Sequence, residues 1–326
     1  MPEVSPSVLI IRLDAIGDAL ALTPLLAALS RRAVPVDLAL VEANAGIFAA
    51  RAARNIITVQ FELRSNARSN LMAIDRLGRE LREREYSHVL VATEDPGGYR
   101  LAGSVGAPIR LGFADPWGKP FKTLWSRRFL TGSIYRSAGL DPRAPHEGEV
   151  LFRLGRTLLG EESPTRDLAV LQPLVLERKP AFDERIAVQV TDKWERLGIA
   201  FARVVELVHR IAAIGTPRLL AAASEAAYAE RIVRSTGFPV DYFDQLEPWK
   251  EAIAAATAIV TPDSGALHVA GMVGTPVVAV FPPVRDYALQ VARWAPWAAP
   301  HRIVRAGEDW PARAGDALAQ LLSVLR

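Results

Sequence analysis

Short runs of β-branched and apolar residues alternate along the chain with longer stretches whose apolar positions recur every three or four residues. Val8–Arg12, Val36–Val41, Ile56–Phe61, His88–Ala92 and Ile109–Gly112 read as buried strands, because continuous apolar runs of this length suit the centre of a parallel sheet. Between them Asp18–Ser30, Ala43–Ala53 and the charged Ser69–Glu85 read as helices. The rhythm breaks after Phe113. Residues 114–145, rich in Pro, Gly, Trp and Arg, are expected as loop or short helix, with a further loop at 93–100, before a helix over Glu147–Leu159. A proline-spaced segment follows, and the linker is expected near Leu174–Pro180. The alternation then restarts, with strands at Ile186–Val190, Arg218–Ala222, Val240–Phe243, Ala258–Thr261 and Val277–Phe281. Helices are expected over Ala200–Ile214, Ser224–Thr236, Trp249–Ala256, Gly265–Val273 and Ala312–Leu325. The pattern predicts an α/β protein of two Rossmann-like domains, over 1–176 and 177–311 plus the last helix, with a ligand site in the cleft between them.

Composition narrows the class. The 326 residues include no cysteine, which excludes disulfides, thiol catalysis and cysteine-bound metal. The net charge of +3 is mild and diffuse, so no nucleic-acid partner is expected; an anionic substrate or membrane surface would suit it. No basic segment precedes the first apolar run, so no secretory signal is read and a cytoplasmic location is expected. The longest uncharged stretch, 264–284, is broken by three glycines and three prolines; any membrane contact should therefore be peripheral, on the inner face.

Two turns carry the candidate chemistry. After the first strand, Leu13–Asp18 reads LDAIGD. Gly17 allows a tight turn or close approach, and Asp18 opens a helix. Asp18 is either an ordinary helix-start carboxylate or a base that takes a proton from a hydroxyl, with Asp14 a second carboxylate nearby. In the second half, TPDSGALHVAG runs from strand to helix over Thr261–Gly271. The free N–H groups at Ser264 and Gly265, with the helix dipole, form an anion site, Asp263 can cap or orient the loop, and His268 falls on the first turn. Lys193, in Asp192–Trp194, and Glu225 each follow a strand, placed for a phosphate and for ribose hydroxyls respectively. For each, a plain solvated or packing role is the competing reading. Arg100, Lys119 and Lys122, with Arg127 and Arg128, are candidates for an anionic acceptor. No GxGxxG, P-loop, Asp-x-Asp or GxSxG pattern occurs, and the five histidines are scattered, so no metal or other cofactor is expected.

Together these segments resemble glycosyltransferase family 9, the lipopolysaccharide heptosyltransferases. VLIIRLDAIGDALALTPLLAAL looks like the family's opening strand, turn and helix, with Asp18 at the catalytic Asp position. RLGF at Arg110–Phe113 and HEGEVLFRLGRTL at 146–158 are similar to its mid-chain signatures. Asp192–Trp194 matches its phosphate-binding Lys, and PDSGALHVAGMVGTPVVAVFPP, at 262–283, resembles its most specific block. Glu195 stands where Pro often follows the Trp, Pro282 replaces a Gly, and AAASE before Glu225 lacks the Gly-rich approach. The resemblance implies a GT-B architecture, with acceptor on the first domain, ADP-sugar on the second, and the last helix packed back on the first domain. It also implies inverting transfer of a heptose to a lipopolysaccharide-core acceptor, Asp18 acting as base without a metal. A non-catalytic sugar-nucleotide-binding module, or another GT-B enzyme such as an epimerase or hydrolase, are the competing readings.

Overall fold

The computed structural model describes residues 6–136 and 146–324. The chain divides into two compact units, Met1–Thr165 and Arg166–Arg326.

The first unit holds β1 (Val8–Arg12), β2 (Val36–Leu40), β3 (Asn55–Thr58), β4 (His88–Val91), β5 (Ile109–Ala114) and β6 (Gly132–Tyr135), in the order β3-β2-β1-β4-β5-β6. All these pairings are parallel. Helices cover both faces, so β1, β2 and β4 are buried along their whole length and can be apolar on both sides. The second unit holds β7 (Asp183–Gln189), β8 (Pro217–Ala222), β9 (Val240–Phe243), β10 (Ala256–Pro262), β11 (Val277–Phe281) and β12 (His301–Arg305), in the order β9-β8-β7-β10-β11-β12. Counted within its own unit, each sheet runs third, second, first, fourth, fifth, sixth. This is the doubly wound Rossmann order, which leaves a crevice at the carboxyl ends of its first and fourth strands.

Several elements depart from the sequence reading. Asp18–Ser30 is two helices, Ile16–Leu20 and Thr23–Arg31. Pro24 has no N–H to continue the ladder, and the Thr23 hydroxyl donates to the Leu20 carbonyl instead (2.6 Å). Ala43–Ala53 is two short 3₁₀ turns, Glu42–Asn44 and Ala50–Ala52, with the Asn44 side chain donating to the Asp14 carbonyl (2.6 Å). The expected loop at 93–100 contains the start of a helix, Pro96–Val105, capped by Asp95. Its glycines hid it: a Cβ on Gly98 would lie 2.4 Å from Thr93 Cγ2, so the helix lies against the sheet only because that position is bare. Residues 114–136 yield the helix Pro120–Ser126 and the edge strand β6; 137–145 lie outside the described residues.

The unit boundary falls ahead of the expected linker at 174–180. The helix Leu168–Val175 belongs to the second unit, where Gln172 donates to the Val273 carbonyl (3.1 Å) and the buried Lys250 ammonium to the Val175 carbonyl (2.6 Å). The last helix, Trp310–Val324, packs within the second unit. Its Trp310, Ala314, Leu318 and Leu321 close the core of the second sheet, and Trp310 stacks on Trp194 at 5.5 Å. Among the described residues no helix is long and apolar enough to cross a membrane.

Candidate active site

In the first unit the crevice lies between β1 and β4. Strand β1 is four buried apolar residues ending in Arg12, which is 1% exposed. A guanidinium cannot be desolvated there without partners. Its Nε donates to the Asp18 carbonyl (3.0 Å), its Nη2 to Asp18 Oδ1 (2.8 Å), and its Nη1 to the Ala92 carbonyl beyond β4. Asp14 Oδ2 lies 3.4 Å from Nη1, and Oε1 of the fully buried Glu147 3.6 Å from Nη2. Asp18 is thus the third residue of a helix whose N-cap, Ala15, offers no side chain; its carboxylate reaches Arg12 and the Ala15 N–H. Burial raises the Asp18 pKa, Arg12 pulls it back, and Asp14 and Glu147 push it up again; the net direction is above the ordinary 3.8. Gly17 is ordinary helical backbone inside Ile16–Leu20.

The charges continue outward with alternating sign. Glu147 accepts both of its bonds from Arg136 (2.8 Å each), and Arg136 reaches Glu94 at 3.5 Å. Glu94 in turn takes Lys122 (2.5 Å) and Lys119 (2.9 Å). Burial alone would raise Glu94, but the two lysines outweigh it and hold the carboxyl at about 2. Lys119 and Lys122 therefore share a carboxylate partner. Arg100 is parted from them: it lies over the Trp125 ring (5.5 Å) and lines a separate hollow with Arg82 and Arg128. Asp14 and Asp18 instead open on a pocket of about 650 Å³, lined also by Asn44, Leu63, Arg64 and Asp95.

In the second unit the equivalent crevice lies between β7 and β10, and it brings two distant motifs together. Lys193 begins the short helix after β7, and Asp263–Ser264 is the turn after β10. Burial raises the Asp263 pKa, and the Lys193 charge, close enough to act on it, lowers it. The helix Gly265–Val273 has Ser264 as N-cap, yet the Ser264 hydroxyl makes no cap bond; it pairs with Thr261 Oγ1 at 2.9 Å. The first N–H groups of that helix thus keep their donor capacity beside an ammonium, an arrangement that suits a diphosphate. His268 is buried on the same helix, edge-on to Trp294 at 5.7 Å. Glu225 is engaged within the loop. It accepts from Thr191 Oγ1 (2.8 Å) and the Asp192 N–H (2.7 Å), fixing the turn that carries Lys193.

Sequence reasoning missed Arg12, Glu147 and Arg136. The available signal was Arg12 itself, a lone cation in an otherwise apolar run and hence one that demands buried counter-charges.

Residues 219–318, from β8 into the last helix, match the family model for glycosyltransferase family 9 (heptosyltransferase). Over that stretch the chain resembles the glycosyltransferases of family 9. No curated protein sequence matches it. Among solved structures, the chain is similar to a glycosyl transferase family 9 protein of Veillonella parvula (15% identity, 99% of each chain, TM-score 0.73). It is also similar to the E. coli heptosyltransferase WaaC with ADP (20% identity, 98% of this chain and 100% of that one, TM-score 0.71). The E. coli ADP-heptose lps heptosyltransferase II compares likewise (17% identity, 98% and 99%, TM-score 0.72). At these identities the structures show a shared GT-B fold of two parallel sheets.

Proposed function

We propose that this protein is a glycosyltransferase that moves a heptose, or a related sugar, from an ADP-sugar to an anionic, lipopolysaccharide-core-type acceptor, with inversion at the anomeric carbon. The observation that carries the reading is the placement of Asp18 at the carboxyl end of β1, tied by one oxygen to a buried arginine and lining an open pocket. Asp18 takes the acceptor hydroxyl proton as that oxygen bonds to the anomeric carbon and the bond from that carbon to the diphosphate oxygen breaks. A general base of this kind contributes about 10²–10⁴-fold. Its raised pKa makes it a better proton acceptor than an ordinary aspartate.

The departing diphosphate gains negative charge. Lys193 and the N–H groups at Ser264 and Gly265 are suited to meet it without a metal, and preorganised donors of this kind supply roughly 3–4 kcal/mol each. Asp263 orients Lys193, His268 shapes the same helix start, and Glu225 holds the Lys193 loop. A nucleotide-sugar donor is supported by the similar E. coli structures, one with ADP and one with ADP-2-deoxy-2-fluoro heptose. Asp14, with the basic residues Lys119, Lys122 and Arg100, is assigned to the acceptor side, and the enzyme to the cytoplasmic face of the inner membrane as a peripheral protein.

A thermal-shift screen of nucleotide sugars tests the donor. ADP-linked donors should stabilise the protein above UDP- and GDP-linked ones. Product analysis with ADP-heptose and a core acceptor then tests transfer; release of free sugar, with no acceptor product, would reject it.

A further inference from the structure

The segment 116–128, which follows β5, is an amphipathic element turned inside out. In the helix Pro120–Ser126 the small polar residues face inward: Thr123 is 6% and Ser126 1% exposed. Both are satisfied there. Thr123 Oγ1 accepts from the Asp115 N–H (3.0 Å), and the Ser126 hydroxyl donates to the Thr123 carbonyl (3.0 Å). Trp125 alone among the large apolar side chains turns in, packing on Tyr99 and Phe129. The others point outward: Phe121 is 88% and Leu124 66% exposed, three apart on one helix face, and Trp117, in the turn before, is 87% exposed. Large exposed apolar groups of this kind, gathered in one short segment, mark a contact surface.

Charge decides what covers it. Residues 116–128 contain no acidic residue and four cations; Lys119 and Lys122 are paired with Glu94, which leaves the charge of the patch to Arg127 and Arg128. Arg127 and Arg128 are exposed immediately beyond Leu124. A second copy of this chain meeting the patch across a two-fold axis would set like charges against each other. A bilayer surface of anionic lipid complements both features at once: aromatic and aliphatic side chains enter the boundary between headgroups and acyl chains, and cations meet the phosphates. We infer that Trp117, Phe121 and Leu124, with Arg127 and Arg128, dock this protein on anionic phospholipid. The inference names the surface behind the peripheral location in the proposed function, but it stands on exposure and charge and needs no transfer chemistry.

The test is co-sedimentation of the full chain with vesicles of phosphatidylcholine, with and without phosphatidylglycerol. The wild type should bind the anionic vesicles, less strongly as salt rises, and the neutral ones weakly. The triple variant Trp117→Ser, Phe121→Ser, Leu124→Ser should lose about ten-fold or more in vesicle partitioning with its melting temperature unchanged, since these side chains leave no core contact. Arg127→Glu with Arg128→Glu should abolish the preference for phosphatidylglycerol. A wild type that stays in the supernatant, or a triple variant that binds undiminished, overturns the inference. So does concentration-dependent dimerisation abolished by the same triple variant, which would give the patch to a second copy. Asp18→Asn separates the two readings: it should bind vesicles as the wild type does, whatever becomes of transfer.

Discussion

Arg12 Nη2 donates to Asp18 Oδ1 at 2.8 Å from a guanidinium that is 1% exposed. The bond occupies one oxygen of the Asp18 carboxylate, whose side chain is 29% exposed. The same arginine is the meeting point of Asp14, Glu147 and the Ala92 carbonyl. A buried cation among three carboxylates leaves an excess of negative charge, and together with burial this raises the pKa of Asp18, the carboxylate that faces the pocket.

Replacing Asp18 by Asn should separate catalysis from stability. Transfer should fall by about 100-fold or more, as for loss of a general base. The folded-state pKa is raised, so ionised Asp18 opposes folding and protonated Asp18 favours it; stability tied to this group is lost as pH rises. Asparagine removes that cost, and the melting temperature should hold or rise. Near-normal turnover, measured by product formation, would remove Asp18 from the mechanism.

Arg12 is expected to position and tune the base. Arg12 lowers the Asp18 pKa, so without it the acid limb of the kcat/KM–pH profile should move to higher pH. Arg12→Met should show this together with a loss of about 3–5 kcal/mol in stability, because it leaves buried carboxylates without their partner. Arg12→Lys keeps the charge and should shift the limb less. A limb that stays in place in both variants, with only stability changed, would make Arg12 purely structural.

On the second unit, Lys193→Ala should weaken ADP binding by about ten-fold or more, the scale of one hydrogen bond to a charged group. Calorimetry reads it directly. Unchanged affinity would leave the start of the helix Gly265–Val273 as the sole anion contact, or move the diphosphate elsewhere.

Asp37 supplies a control far from the chemistry. This fully buried residue of β2 accepts from Arg54, Asn55, Arg84 and Tyr86. Burial alone would raise its pKa, but those bonds prevail and set it at about 2. The folded-state value is depressed, so the stabilisation is present above 3.8 and is lost as pH falls toward 2. Asp37→Asn should cost about 1–3 kcal/mol at neutral pH by denaturant titration, through donors left unmatched. It should also flatten the acid side of the stability profile; an unchanged profile would mean that the network adds nothing.

The strands of both sheets were legible where they are buried on two faces, because an unbroken apolar run has few other places to go. β1, β10 and β11 lie within two residues of their expected bounds. The edge strands β6 and β12 were not legible: GSIY and HRIVR mix polar and apolar residues as half-covered edges do. The helix Pro96–Val105 was hidden by glycines that its close packing against the sheet requires.

Local pattern by itself determined the α/β class, the two-fold repetition of the βα rhythm, and the two turns, around Asp18 and around Ser264, at which strands deliver the chain to a ligand. It did so because apolar periodicity and helix-start chemistry act over a few residues. Tertiary structure alone decided which turns become neighbours. The crossover from β3 to β4 sets Ala92 against Arg12, the return of the chain brings Glu147 beneath the same guanidinium, and the order of the second sheet puts Lys193 beside Asp263. Charges 70 to 135 residues apart in sequence meet only when a sheet closes over them, and desolvation, which sets their strength, exists only in the folded core.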